Sequence, residues 1–145
     1  MMRVAAFWLL LVVSTASCSN DTATSPSSTD SSSTSAPVTE RFDGIIDRRN
    51  SAFYTFAVNQ NGGTVSINFA SLSPLNRPGL LSIAMEIGYG VPAGEGCDVR
   101  RVIEVTPALT SQFTETLTPG TYCARIADTG AMTEAANFAI RITHP

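Results

Sequence analysis

From Glu40 onward the apolar side chains fall on every second residue in short runs, broken by glycine, proline and asparagine. Alternate residues of an extended chain point to the same side, so this pattern commits the segment to strands with one face on a core. Tyr54, Phe56 and Val58 alternate with Thr55 and Ala57, Asn61-Gly62-Gly63 supplies residues that tolerate positive φ, and Val65, Ile67 and Phe69 then alternate with Ser66 and Asn68. This reads as a hairpin. A third strand is expected over residues 80–89, with Leu81, Ile83, Met85 and Ile87 on one face, and shorter ones over 99–105 and 113–117. Pro119-Gly120 turns the chain into residues 121–128, where Tyr122, Ala124 and Ile126 face one way and Cys123 and Arg125 the other. A last strand covers 137–143, and the best helical candidate, 133–136, is one turn at most. Seven or eight short strands without helical periodicity predict an all-β, antiparallel β-sandwich.

The beginning of the chain is of another kind. Met1 to Arg3 is a short basic start, residues 4–13 are apolar and small residues follow, the three-part pattern of a secretory signal peptide. Ten residues of helix reach about 15 Å, half of the roughly 30 Å of hydrocarbon that a spanning helix must cross. The segment ends in Thr15-Ala16-Ser17-Cys18, which resembles the lipobox of bacterial lipoproteins, with Thr15 standing where leucine is usual. That resemblance implies a signal peptide over 1–17, lipidation (palmitate among the acyl chains) on Cys18 as the new first residue, and attachment to the membrane of the cell envelope. Ser19 after the cysteine resembles lipoproteins sent to the outer membrane of Gram-negative cells. Ordinary cleavage near Ala16, leaving a free thiol at Cys18, is the alternative. Residues 19–39 hold 13 serines and threonines among 21, with Pro26 and Pro37 and no aromatic residue. Such a composition offers nothing to offset the entropy of ordering, so 18–39 is expected to be a disordered linker and 40–145 one folded domain.

Few residues are equipped for chemistry. The 145 residues carry nine arginines, no lysine and a formal charge of −3, which gives no cationic footprint for nucleic acid. If Cys18 takes lipid, Cys97 and Cys123 remain, and an even pair in an exported domain reads as a disulfide. Cys123 lies on an outward strand position and Cys97 follows Gly94-Glu95-Gly96 in a loop able to reach it. Zinc on Cys97, Cys123 and His144 fits no compact ligand spacing. The single histidine, His144, is the penultimate residue, where a chain commonly frays. Asp43 and Asp47 read as a solvated strand start and turn, while Glu95, Asp98 and Asp128 are a candidate calcium set drawn from loops. Residues 88–96, GYGVPAGEG, lack the lysine of a phosphate loop and read as a hairpin loop. Arg48-Arg49 and Arg100-Arg101 are nearly balanced by neighbouring acids. With Trp8 in the signal peptide, the candidate ligand surface is Tyr89, at a strand end between two glycines, with Arg100 and Arg101. No catalytic residue, metal ligand or cofactor is expected.

The runs Tyr54-Thr55-Phe56-Ala57-Val58 and Gly63-Thr64-Val65-Ser66-Ile67, then Pro119 to Asp128 and Phe138 to Pro145, resemble the bacterial pre-peptidase C-terminal domain and its relatives. The resemblance covers most of 40–145. It implies a jelly-roll-like β-sandwich, non-catalytic and often appended to secreted hydrolases, although here an anchor and a linker stand where the enzyme would. The expected role is a membrane-tethered interaction or accessory module, whose partners are the membrane, through the lipid, and an envelope protein or glycan. A glycan-binding or calcium-binding surface, or a hydrolase using loop carboxylates, is the alternative.

Overall fold

The computed structural model describes residues 36–145. The expected signal peptide, the expected lipidation of Cys18 and nearly all of the expected linker lie outside the described residues. Eight strands follow in order: β1 (Val38–Ile46), β2 (Ser51–Val58), β3 (Gly63–Pro74), β4 (Met85–Ala93), β5 (Gly96–Val105), β6 (Phe113–Leu117), β7 (Gly120–Ala127) and β8 (Ala136–His144). They form two antiparallel four-stranded sheets, β1-β8-β3-β6 and β2-β7-β4-β5, and no helix occurs among the described residues. This is the strand order of a jelly roll. It is one long hairpin rolled over itself: β4 pairs β5 at the tip, then β3 pairs β6, β2 pairs β7 and β1 pairs β8.

The central strands carry the apolar alternation most fully because both their flanks are covered. Val65, Ile67, Phe69 and Leu72 of β3 face Met85 and Ile87 of β4 and Ile126 of β7, with Ile140 and Ile142 of β8 beside them, all buried. Each such side chain contributes about 1.5–3 kcal/mol by leaving water. On the edge strand β2 the inner positions Ala52 and Tyr54 are only half-buried. Tyr54 stacks on Phe42 of β1 at 4.5 Å between ring centroids and donates its hydroxyl to the Asp43 carbonyl, 3.3 Å away. Burial, and then the charge of Asp43, push the Tyr54 phenol above its ordinary pKa.

Four expectations are corrected. β2 and β3 are not a hairpin: they lie in different sheets, β2 on β7 and β3 between β6 and β8. Alternation shows which face of a strand is buried but not its neighbour, and here the two inner faces meet across the core. The turn itself is as expected, with Gly62 at φ 66° and its N–H on the Asn59 carbonyl. The third strand starts at Met85, five residues later than expected, because 75–84 carry the chain from one sheet to the other. Leu81 and Ile83 still pack on the core from that crossing. β3 continues past Phe69 to Pro74 through a bulge at Ala70, after which Ser71 pairs with Ala139 and points outward. Finally, the first strand begins at Val38 inside the expected linker; its inner positions, Glu40, Phe42, Gly44 and Ile46, were hidden by two non-apolar members.

Candidate functional site

The tip hairpin is where the sequence placed its ligand surface, and its geometry is set by a disulfide. Cys97 and Cys123 are bonded, with Cα atoms 5.9 Å apart. Their strands, β5 and β7, lie on either side of β4, and a flat sheet would hold strands two places apart at about 9.5 Å. β5 therefore leans over the outer face of β4. The sequence allows this because β4 has no side chain beneath: a Cβ on Gly88 would stand 2.1 Å from the Arg101 carbonyl oxygen, and one on Gly90 2.1 Å from that of Asp98. Gly88 and Gly90 are thus close-approach residues inside β4, and Gly94, at φ 58°, lies in the short turn to β5, so the segment is not a long loop. Cys97 itself is a strand residue opposite Pro92.

Tyr89 sits in mid-strand, not at a strand end, and its ring turns inward, edge-on to Phe113 at 5.7 Å and to Tyr122 at 6.2 Å. Its neighbours explain the broken alternation of β5. Tyr89 pairs with Arg101 and Gly90 with Val99, so Arg100 is an extra, bulged residue. The bulge turns Arg101 toward the interior edge, where its guanidinium lies 5.2 Å from the centre of the Phe113 ring and bonds Glu115 of β6. That pair closes the gap between the two sheets at their β5 and β6 edges. Arg100 points outward and pairs with Asp98 at 3.0 Å. The three residues are therefore near in the chain but divided between the two faces of the sheet.

The acidic groups are similarly engaged in the fold. Asp128 is 5% exposed and accepts backbone N–H groups from Arg49 at 2.7 Å, Gly130 at 3.0 Å and Met132 at 3.1 Å. Burial alone raises such a carboxyl, but the N–H groups of Arg49, Met132, Gly130 and Ala131 reverse it and hold Asp128 below its ordinary pKa. The carboxylate thereby ties the β1–β2 turn, where Arg49 has φ 56°, to the β7–β8 loop, and Arg48 adds a bond to the Met132 carbonyl at 3.1 Å. Asp128 follows the end of β7 that pairs with Glu86, whereas Asp98 lies opposite Val91, so register keeps Glu95 and Asp98 at the other end of β4 from Asp128. No group of three histidine, cysteine or acidic side chains is placed to hold a metal among the described residues.

His144 does not fray. It ends β8 opposite Val38, is 6% exposed, and its Nε2 is 2.9 Å from Glu40 Oε1, with the ring against Phe56. One device had no signal in the sequence pattern. β6 is too short to cover all of β3, and the Gln112 side chain takes over: its Oε1 accepts the Phe69 N–H at 2.8 Å and its Nε2 reaches the Phe69 carbonyl at 3.3 Å. Beside it, buried Asn68 donates to the carbonyls of Ala108 and Thr110. Elsewhere, on the outer face of the β1-β8-β3 sheet, Arg41, Asp43, Ile45, Ser71, Ser73 and Asn137 line a polar groove of about 390 Å³.

Fold and site together define a jelly-roll β-sandwich with one internal disulfide, in which Asp128, His144 and Gln112 brace loops and strand ends. No protein-family model matches the chain, and no curated protein matches it. Among solved structures it is similar to a chain of Bacillus endospore appendages, described as a novel family of disulfide-linked pili, at 15% identity and a TM-score of 0.37 over 74% of this chain and 87% of that one. At that level the likeness is weak.

Proposed function

We propose that this protein is an exported, lipid-anchored β-sandwich at the cell envelope that acts as a non-catalytic interaction or accessory module, related in kind to the pre-peptidase C-terminal domain. The observation that carries the reading is how the reactive side chains are spent: Asp128 on three backbone N–H groups, His144 on Glu40, Arg101 on Glu115, and both domain cysteines on each other. A disulfide of this kind suits an oxidising compartment outside the cytoplasm, in keeping with the signal peptide. The jelly-roll strand order agrees with what the family resemblance implies.

The anchor is tested by cell fractionation. Cys18→Ala should move the protein from the membrane to the soluble fraction, because one lost thioether takes all the thiol-borne acyl chain energy with it, about 0.8 kcal/mol per buried methylene. Wild-type protein that is already soluble, with an unmodified terminus, overturns the reading. A glycan-binding surface is supported by the polar groove, where hydroxyls of half-buried Ser71 and Ser73 and the Asn137 carboxamide face the Arg41–Asp43 pair. Asn137→Ala should then weaken retention on a glycan array about tenfold, the scale of one polar contact, and no retention of the wild type on any glycan removes this second reading.

A further inference from the structure

A two-sheet sandwich has four edges, and three of them here are defended against pairing. β6 has five residues, and beyond it Gln112 occupies both the N–H and the carbonyl of Phe69. β5 is bulged at Arg100 and carries Asp98, Arg100, Arg101 and Glu104. β1 carries Glu40, Arg41 and Asp43. Charges, bulges, short length and capping side chains are the devices by which sheets discourage edge-to-edge association.

β2 has none of these. Its sequence, Ser-Ala-Phe-Tyr-Thr-Phe-Ala-Val, is the one described strand free of charge, glycine and proline together, and its register against β7 runs unbroken from Ser51 to Val58. Phe53 is 37% exposed on its outer face. Among the described residues β2 pairs only with β7, so every second N–H and carbonyl along its other side faces outward. Long, regular, neutral and rich in aromatic and β-branched residues, it is a template for a further strand.

We infer that β2 pairs antiparallel with β2 of a second copy of this chain, joining the two β2-β7-β4-β5 sheets into one of eight strands. A strand added here must bring apolar residues to the inner face and neutral ones to the outer, and β2 itself meets that requirement where β1, β5 or β8 would bring charges. A two-fold axis through Tyr54 keeps faces matched: Ser51 meets Ala57, Ala52 meets Phe56, and Phe53 meets Thr55, each with a residue of its own face. No like charges oppose one another, and each Phe53 ring gains a β-branched cross-strand neighbour. The inference rests on the sheet edge alone and does not depend on lipid at Cys18.

The test is sedimentation velocity of the full chain with Cys18→Ala, so that no acyl chain drives association, over about 1–200 μM, a range in which mass action makes a weak dimer visible. A concentration-dependent monomer–dimer equilibrium is expected. Phe53→Lys with Thr55→Lys places ammonium groups in facing pairs across the axis and should raise the dimer dissociation constant at least tenfold while the far-UV spectrum stays that of a β protein. Leu109→Lys, at an exposed position away from β2, should leave it unchanged. A Cys18→Ala protein that stays monomeric throughout, or a dimer indifferent to the paired lysines, would each overturn the inference.

Discussion

Replacing Gly90 with alanine should cost the domain about 3 kcal/mol or more, because the added Cβ would stand 2.1 Å from the Asp98 carbonyl oxygen and 2.7 Å from its carbon. A side-chain tip could swing away, but the backbone of β5 is held down on β4 by the Cys97–Cys123 bond. Removing that bond with Cys97→Ala and Cys123→Ala should itself cost about 3.5 kcal/mol in the chain-entropy account, for a sequence separation of 26. The two losses are expected not to add. Without the disulfide β5 is free to lift, so Gly90→Ala should cost less than half as much in the cysteine-free background. Urea unfolding of the four proteins closes the cycle, and additive losses would mean that the disulfide does not hold β5 over β4.

Asp128→Ala should be at least as damaging, at about 3–5 kcal/mol, since it strands the N–H groups of Arg49, Gly130 and Met132 in a site that water scarcely reaches. The carboxyl is also a source of acid sensitivity. Its pKa in the folded protein lies below its ordinary value, so the stabilisation is fully present above the unfolded pKa of about 3.9 and fades as pH falls through the folded one. Asp128→Asn should therefore show its full deficit in urea midpoint above about pH 5 and a shrinking deficit below about pH 4. A deficit that is constant down to the acid transition would show that the charge of Asp128 does not supply the stabilisation.

What was legible in the sequence was the facing of each strand, and what was not was the company it keeps. Tyr122, Ala124 and Ile126 turn inward and Cys123 outward as period two requires, and this placed the disulfide correctly between Cys97 and Cys123. The same periodicity cannot choose between a neighbour in the sheet and one across the core, so β2 and β3 were joined as a hairpin. Bulges hid more: Ala70 and Arg100 each shift the alternation by one residue, ending β3 early and blurring β5. Among the site residues, Tyr89 reads as a surface ring at a strand end between two glycines, yet it lies in mid-strand and turns inward, while Arg101 stays exposed and the bulge at Arg100 brings it to the β5–β6 edge. Asp128, His144 and Gln112 each reach at least one partner between 43 and 104 residues away. A local pattern carries no trace of such contacts.

The rolled hairpin also fixes when this domain can fold. β8 is a central strand, between β1 and β3, and Val38 pairs with His144, so the first strand of the domain waits for the last. A growing chain that has reached the end of β7 holds the second sheet complete, tip hairpin included, but has only unpaired β1 and a β3–β6 pair for the first. Contacts of such long sequence separation form slowly, on the order of milliseconds to seconds for β-sandwiches of this size. The first sheet therefore cannot close until β8 has been made, and for that interval the apolar inner face of the completed second sheet lacks most of the surface it packs against.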